Sequence, residues 1–304
     1  MILSQILSSF LICLLILLRV AFFTLFERKV IAAFHIRTGP NKVTASGILQ
    51  PLLDAFKLLT KQPITPLKSN KFLYNSSPLL SLLLSLLVWS LIPSLYNSLS
   101  LNFSLFLFFC LSSFIVLCVL LSGWSSNSKY RLIGRLRSIA QSISYEVVFS
   151  TTLVLLIALI LGYRISSFKN ISSFLYLIGF PLWLICTLAE THRAPFDFSE
   201  SESELVSGFN TEYSGLNFAL IFLSEYCILL FSCILIALIF LNFLIPFSIF
   251  AVSLFTLLVR FLFVWIRITF CRFRYDFLII MAWKSLLPLS LLLLLIYPPF
   301  FIFL

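Results

Sequence analysis

The run LNFSLFLFFCLSSFIVLCVLLSG, residues 101–123, decides the fold, because it holds no charged residue over a length that can cross a bilayer. A transmembrane helix needs about 20 mainly apolar residues, whereas a barrel strand needs about ten with alternating polarity. The run PLLSLLLSLLVWSLIP, residues 78–93, shows the same unbroken pattern. In lipid the backbone must satisfy its own polar groups, so these runs predict membrane-spanning helices.

The composition of the whole chain agrees with a membrane protein. Of 304 residues, 61% are hydrophobic and 11% are charged, and the mean hydropathy is +1.11. One water-facing globule cannot bury so large an apolar fraction. The seven cysteines are scattered without a CxxC pair, the two histidines are far apart, and no nucleotide-binding glycine motif is present. We therefore expect no metal and no cofactor held by this chain itself.

We predict an all-α integral membrane protein made of one polytopic membrane domain over residues 1–304. About eight apolar runs have spanning length. They lie near 4–26, 78–96, 101–122, 140–162, 173–190, 214–241, 244–266 and 279–302. An amphipathic helix is predicted at 46–62 in the first loop, and an acidic loop at 191–213.

The basic residues alternate between the loops and so predict the topology. Most of the 21 Lys and Arg residues lie after the first, third, fifth and seventh predicted spans, whereas the loops after the second, fourth and sixth hold only Arg164 and Lys169. The positive-inside tendency places the base-rich loops in the cytoplasm or the mitochondrial matrix, and both termini opposite. Because the net charge of +10 is spread along the membrane, we expect no nucleic-acid partner.

The segment SGILQPLLDAFKLLTKQ, 46–62, has the period of an amphipathic helix. Ser46 can cap its start, and Pro51 falls in the first turn, where its missing N–H costs little. One face carries Leu and Phe, and the other carries Gln50, Asp54 and Lys57. Two interpretations remain open: a surface anchor, or a helix whose polar face lines the mouth of a cavity.

The acidic residues are gathered in one short stretch. Of eleven in the chain, six lie in AETHRAPFDFSESESELVSGFNTEYSG, 189–215. Glu200, Glu202 and Glu204 alternate with serines and repel one another, so they should titrate as a coupled set. The motif SESE also fits a helix-capping box, but a cap occupies only one glutamate.

Three further carboxylates lie in or beside apolar runs, where a charge is costly. Glu27 stands at the end of the first span, next to Arg28 and Lys29. Glu225 has apolar neighbours one turn away on both sides. Glu146 lies on a helical stripe of hydroxyl groups, which suits a hydrated proton path. That stripe is formed by Ser138, Ser142 and Ser150, with Gln141 and Tyr145 adjoining it.

A structural alternative exists for Glu146. Arg260 and Lys284 each interrupt an otherwise apolar run, and either could form an ion pair with a buried carboxylate. The sequence leaves the proton path and the ion pair both open.

At these residues the sequence resembles the subunit 1 family of respiratory complex I, the proton-pumping NADH:ubiquinone oxidoreductase. The matching strings include ERK (27–29), RTGPN (37–41), GILQPLLDAFKLLTKQ (47–62), SGWSSNSKYRLIG (122–134) and RSIAQSISYEV (137–147). The acidic stretch, SEY at 224–226 and WIRITFCRFRYDFLIIMAWKSLLPL at 265–289 match as well. These strings are long, and they follow the order of the family along nearly the whole chain.

The resemblance implies eight transmembrane helices and a ubiquinone-access tunnel that opens on the matrix side. No residue would be catalytic in the strict sense. Quinone-binding roles would fall on Glu27, Arg28, Asp54, Lys57 and Arg193. Proton-transfer roles would fall on Glu146, Glu190, Asp197, Glu200, Glu202, Glu204 and Glu225, an acidic funnel that couples quinone reduction to proton translocation.

The resemblance also implies the surroundings of the chain. Ubiquinone would be the substrate, and FMN and iron–sulfur clusters would belong to partner subunits. Hydrophilic quinone-reducing subunits would cover the inside face, small and antiporter-like membrane subunits would lie laterally, and lipids would surround the rest. The Phe- and Leu-rich composition favours the mitochondrial inner membrane, with the odd-numbered loops in the matrix, over a bacterial plasma membrane.

Four positions depart from the family pattern. Gln62 stands where Glu is common, Thr38 where a base is usual, Cys271 where Pro is common and His192 where Asn is usual. His192 lies beside the acidic loop, and it either has no functional effect or tunes the proton affinity of the loop.

Two other functions are considered. One is the homologous membrane subunit of an energy-converting hydrogenase, against which the ERK and RTGPN strings argue. The other is a stand-alone proton-coupled secondary transporter, although no inverted repeat is visible in the sequence.

Overall fold

The structure, a computed structural model, describes residues 2–44, 46–92, 103–160, 175–197, 213–241 and 249–302. Within these ranges the regular structure is entirely helical. The helices are α1 Ile2–Phe34, α2 Gln50–Thr60, α3 Lys71–Trp89, α4 Ser104–Ser125, α5 Lys129–Ile160, α6 Leu175–Glu190, α7 Gly215–Ile236, α8 Ile249–Thr269, α9 Tyr275–Ile280 and α10 Leu287–Ile302. A π-helical segment, Ala237–Leu241, continues α7, and another, Met281–Leu286, joins α9 to α10.

The prediction of an all-α membrane protein is confirmed. Among the described residues, 7 helical stretches are long and apolar enough to cross a membrane, and α9, its π-helical segment and α10 form one of them. The fifth predicted span, 173–190, corresponds to α6, of which Gly179–Glu190 is an apolar helix below that length. The residues before 175 lie outside the described ranges.

Several helices extend beyond the apolar runs. α1 continues to Phe34, α3 begins at Lys71 and α5 begins at Lys129, each on the base-rich side. An α-helix needs only its internal hydrogen bonds and suitable residues, so it does not stop where the hydrocarbon ends. These extensions carry polar side chains of the site, and Arg131 and Arg135 are buried on the first turns of α5.

α5 and α7 form the centre of the helix bundle. In both, 61% of the spanning window is buried within the chain, against 17% for the last span. Aromatic rings fill the space between them and their neighbours: Phe149 of α5 packs on Trp183 of α6 with ring centroids 4.3 Å apart. Trp89 Nε1 of α3 donates a hydrogen bond to the Cys227 carbonyl oxygen of α7 at 3.1 Å.

The predicted cap of the amphipathic helix is wrong. α2 begins at Gln50, and Leu49 occupies the cap position without a side-chain hydrogen bond. Ser46 has a φ of 87°, and its carbonyl oxygen accepts a hydrogen bond from Lys29 Nζ. Pro51 does fall in the first turn, where it is buried, because a helix start requires no N–H from that residue.

α2 lies against the bundle at the start of α7. Gly215 has a φ of +58°, and a Cβ atom there would lie 2.6 Å from the Lys61 carbonyl oxygen. Only glycine allows so close an approach in this conformation. The apolar side chains of Leu53, Phe56 and Leu59 are left exposed on the outer face.

Candidate functional site

A buried carboxylate joins four separate parts of the fold. Glu27 of α1 is 5% exposed, and its Oε1 accepts a hydrogen bond from Arg193 Nη1 at 3.0 Å. Arg267 Nη1 of α8 contacts the same oxygen. Tyr226 of α7 donates its hydroxyl hydrogen to Glu27 Oε2 at 2.8 Å. We call these four residues the Glu27 cluster.

Arg193 is the most enclosed cation of the Glu27 cluster. Its guanidinium carbon lies 4.2 Å from the ring centroid of Tyr226. Burial disfavours the charge on Arg193, but the Glu27 carboxylate outweighs this effect and raises the pKa of Arg193 above its usual value. Arg193 therefore stays charged at any physiological pH, and the cluster holds two cations around one carboxylate.

A second ion pair lies at the surface, between α1 and α2. Arg28 Nη1 is 2.9 Å from Asp54 Oδ2, and Gln50 Nε2 donates a hydrogen bond to Asp54 Oδ1 at 3.0 Å. Arg28 and Gln50 also line a surface groove of about 600 Å³, together with the turn that follows α1. Of the polar face of α2, Gln50 lines this groove, whereas Asp54 and Lys57 are not among its lining residues. The cavity-mouth interpretation of this helix is therefore supported at Gln50 alone among the described residues.

The five predicted quinone-binding residues divide into two groups. Glu27 and Arg193 are in direct contact, and Arg28 and Asp54 are in direct contact. Lys57 belongs to neither pair, since its side chain is exposed and the described residues offer it no hydrogen bond or ion pair.

Three predicted proton-transfer residues share one internal cavity. Glu146 of α5, Glu190 of α6 and Glu225 of α7 line a space of about 60 Å³, with Arg135 and His192 beside them. A water needs roughly 10–15 Å³ by this measure, so the cavity has room for about four to six waters. We call it the carboxylate cavity.

The hydroxyl stripe of α5 contributes only partly to this cavity. Ser142 lines it, whereas Ser138 and Ser150 are not among its lining residues. The Ser142 and Ser150 hydroxyls donate back to carbonyl oxygens of α5, at 2.9 Å and 2.8 Å. Tyr145 donates to the Leu278 carbonyl oxygen at 3.1 Å and therefore fastens α5 to α9.

The ion-pair interpretation of Glu146 is not supported. Arg260 lines a different cavity, between α1 and α8, and Lys284 is exposed. Among the described residues neither base forms an ion pair with Glu146. Glu146 instead interacts electrostatically with Glu190, another carboxyl group.

The turn after α6 carries both Arg193 and His192, and Gln141 of α5 holds it in place. Gln141 Nε2 donates to the Ala189 carbonyl oxygen at 3.1 Å and to the Phe196 carbonyl oxygen at 2.9 Å. One amide group therefore fixes the chain on both sides of the turn.

His192 faces the carboxylate cavity from a left-handed backbone conformation, with a φ of 48°. Its Nδ1 atom is buried and has no hydrogen-bond partner among the described residues. Burial, together with the nearby Arg135 guanidinium, lowers the pKa of His192 to about 4. The ring is therefore neutral near pH 7.

The acidic loop is described only at its start. Asp197 lies 3.4 Å from Arg272 Nη2. Glu200, Glu202 and Glu204 lie outside the described residues, as does the proposed capping box.

Arg193 interacts with both the Glu27 cluster and the carboxylate cavity. It contacts Glu27 directly and interacts electrostatically with Glu225 of the carboxylate cavity. Glu225 also interacts electrostatically with Arg135 and Asp197. Because Tyr226 and Glu225 are adjacent on α7, one helix turn serves both groups.

Sequence reasoning missed two members of the Glu27 cluster. Arg267 was counted only as a loop base, and Tyr226 was noted only as part of the SEY string. The contacts with Glu27 span 240 and 199 positions along the chain, and no local pattern reports such pairs. The only usable signal was that a buried carboxylate needs cationic or hydrogen-bonding partners.

Comparison with known sequences shows the family of the chain. The sequence model of NADH dehydrogenase matches residues 7–298. The chain belongs to this family.

The NADH dehydrogenase relatives cover nearly the whole chain. NADH-ubiquinone oxidoreductase chain 1 of Anopheles gambiae is 48% identical over 291 residues, which cover 93% of this chain and 91% of that protein. The protein of the same name from Locusta migratoria is 48% identical over 293 residues, covering 94% and 92%. That of Branchiostoma lanceolatum is 46% identical over 281 residues, covering 91% and 89%.

The family membership confirms the predicted resemblance and the enzyme class. The relatives are chains of an NADH-ubiquinone oxidoreductase, and the chain is accordingly a subunit of an oxidoreductase of this type. None of the three relatives carries the name of a hydrogenase or of a stand-alone transporter.

Proposed function

We propose that this chain forms the ubiquinone-access tunnel of an NADH:ubiquinone oxidoreductase and couples quinone reduction to proton translocation through the carboxylate cavity. The position of Arg193 is the observation that carries the proposal. This cation contacts Glu27 on the predicted tunnel side and interacts with Glu225 on the proton side. A change of charge at Glu27 or at Glu225 must therefore change the electrostatic energy of the other carboxyl group.

The tunnel mouth would lie at the groove between α1 and α2. Arg28 is held there by Asp54, with its guanidinium partly exposed to an incoming headgroup. Quinone carbonyl oxygens are hydrogen-bond acceptors, and arginine offers only donors. The Glu27 cluster would lie deeper, where its buried charges fix the local field.

The coupling step follows from charge. When quinone gains two electrons from the redox groups of the partner subunits, it takes up two protons to form neutral quinol. Protons drawn from titratable groups of the protein near Arg28, Asp54 and Arg193 would leave those groups more negative by the same number of charges. The acidic loop from Asp197 to Glu204 would then reorganise. Protonation changes would pass through Glu190, Glu146 and Glu225, which line one cavity with room for several waters.

The surroundings follow from the family and the charge pattern. The eukaryotic relatives and the apolar helices favour the mitochondrial inner membrane, with the base-rich loops in the matrix. Hydrophilic quinone-reducing subunits, which hold the redox groups, would cover the matrix face at Arg28 and Arg193. Antiporter-like membrane subunits would lie beside the carboxylate cavity.

Glu146→Gln tests the proposal, because it removes the charge and keeps the shape. In the assembled complex we expect NADH:quinone reductase activity and proton pumping to fall together, by about tenfold or more. NADH oxidation by an artificial acceptor that takes electrons from the peripheral subunits should stay unchanged. The same joint loss is expected for Glu204→Gln.

Asp276→Asn is the matched control, since Asp276 is an exposed carboxylate paired with Arg274. It should leave both activities near the wild-type values. Unchanged turnover and unchanged proton stoichiometry in assembled Glu146→Gln complex would refute the proposal.

A further inference from the structure

Two arginines lie within the apolar helices, outside the Glu27 cluster and the carboxylate cavity. Arg19 is in α1 and Arg260 is in α8, and both lie inside spanning stretches. Arg19 precedes Glu27 by eight residues, and Arg260 precedes Arg267 by seven. Because Glu27 and Arg267 are in contact and a helix rises about 1.5 Å per residue, both arginines lie at one height, roughly 11 Å further into the membrane.

The two arginines line one cavity between α1 and α8. Its volume is about 300 Å³, and the remaining lining consists of leucine and phenylalanine side chains, among them Phe22, Phe26 and Leu257. Phe22 and Leu257 are also exposed on the outer surface of the bundle. The cavity is therefore apolar and reaches the lipid-facing side, with two cations in its wall.

Within the part of the chain that the structure describes, the two cations of this cavity have no counter-ion. Among the described residues, no carboxylate lies within ion-pair distance of Arg19 or Arg260. Arg260 Nε is buried and has no hydrogen-bond partner there. The two guanidinium groups also interact with each other as like charges. Intramembrane bases are costly and normally pair with an opposite charge.

The two unpaired cations favour an anionic ligand. A neutral quinone or an acyl chain fills space but leaves both cations unpaired. An oxyanion such as a phosphate or carboxylate matches the planar fork of arginine, and two arginines can share it. Basic pockets between transmembrane helices on the inner side are known to hold lipid headgroups. The Leu and Phe walls suit the chain attached to such a headgroup.

We propose that the cavity between α1 and α8 binds an anionic lipid, whose headgroup oxyanion is held jointly by Arg19 and Arg260. Long arginine side chains extend toward the interface, so the headgroup need not reach the depth of the Cα atoms. Two sources share this chemistry: the phosphate of an acidic phospholipid and the carboxylate of a free fatty acid. Its lining residues belong neither to the groove at Arg28 nor to the carboxylate cavity.

Photo-crosslinking of the wild-type complex tests the proposal without any substitution. The intact complex is placed in phosphatidylcholine nanodiscs that contain phosphatidylglycerol with a photoreactive acyl chain. Crosslinks are expected on the α1 and α8 peptides that carry Phe22 and Leu257. Unlabelled phosphatidylglycerol or oleate should compete, and whichever competes better identifies the source. Equal competition by phosphatidylcholine would overturn the proposal, since the headgroup charge would then play no part.

Variants of Arg260 test whether its positive charge is needed for lipid binding. Arg260→Leu should lower the crosslinking yield about tenfold, the loss expected for one charge-assisted contact, while Arg260→Lys should keep most of it. Lys284→Leu is the matched control, because it removes an exposed base from another apolar span and should leave the yield unchanged. A yield that falls equally in Lys284→Leu, or does not fall in Arg260→Leu, contradicts the proposal. If Arg260→Leu fails to assemble, the wild-type competition decides alone.

Discussion

At position 192 the backbone conformation restricts which residue types can be accommodated. Its φ of 48° lies in the left-handed region, which few residues other than glycine tolerate. Asparagine and histidine are among the non-glycine residues enriched there. The resemblance implies Asn at this position, and a histidine in its place would keep the backbone and change only the side chain. Being neutral near pH 7, it gives the carboxylate cavity no extra charge there.

A pH dependence of stability follows from the lowered pKa of His192. The unfolded chain binds a proton near pH 6.5, whereas the folded chain does so only near pH 4. The stability of the fold is therefore complete above about pH 6.5 and falls as the pH drops toward 4, by at most about 3 kcal/mol. His192→Asn should remove this loss and match the wild type at pH 7.5. The thermal midpoint of the complex, measured across this range, checks the prediction.

The control for this experiment is His35→Asn. His35 is exposed at the end of α1, away from the cavity. Its substitution should leave the acid-induced loss of stability as in the wild type. An identical loss in His192→Asn and wild type would show that His192 is not shielded from water and that its pKa is ordinary.

The sequence indicated individual site residues better than their partners. Glu27 and Glu225 could be selected because a carboxylate in an apolar run demands an explanation. Their partners could not be selected in this way, because Arg193 lies 166 positions from Glu27 and no periodicity connects them. Glu27 and Arg28 are adjacent in the chain, so the sequence alone does not indicate that they belong to different ion pairs. Glu27 pairs with Arg193, whereas Arg28 pairs with Asp54.

At the scale of elements, the turn between α6 and the acidic loop depends on α5. The side chain of Gln141 was predicted to adjoin a proton path, but its amide instead donates to two backbone carbonyl oxygens across that turn. Because Arg193 projects from the same turn, the geometry of the Glu27 cluster depends on this amide. The helix that positions the turn of the Glu27 cluster therefore contributes no side chain to that cluster.

Gln141→Glu tests this positioning role. The substitution keeps the shape and replaces both N–H donors with an acceptor that faces two carbonyl oxygens. Each unsatisfied buried group costs about 1–3 kcal/mol, so the turn should be displaced. We expect a lower thermal midpoint and a raised KM for quinone with a smaller change in kcat. Hydrogen exchange at residues 189–196 should increase.

Ser150→Ala is the control for Gln141→Glu. The Ser150 hydroxyl donates only to the Val147 carbonyl oxygen of its own helix, so its loss should cost under about 1 kcal/mol. The positioning role would be wrong if Gln141→Glu left both the quinone KM and the exchange of the turn at wild-type values.

At the scale of the whole molecule, the apolar runs were enough to predict an all-α membrane protein, and seven of the eight predicted spans correspond to helices of spanning length among the described residues. They could not indicate that α5 and α7 are central, because lipid-facing and buried positions use the same apolar residues. They also could not predict the shared depth of Arg19 and Arg260, which depends on how α1 and α8 pack. Composition therefore indicates which segments enter the membrane, and tertiary contacts decide their order around the centre.

The orientation of the molecule remains a prediction and can be measured with its own cysteines. Cys271 is exposed in the base-rich segment between α8 and α9, and Cys110 is exposed on the apolar surface of α4. The positive-inside tendency places Cys271 in the matrix, while Cys110 should face lipid.

In membranes stripped of peripheral subunits, a membrane-impermeant maleimide should label Cys271 in inside-out vesicles and not in right-side-out vesicles. Cys110 should react in neither, and Cys271→Ser should abolish the signal. Labelling of Cys271 from the opposite side would invert the topology, and it would also move the groove at Arg28 away from the face where quinone-reducing subunits must bind.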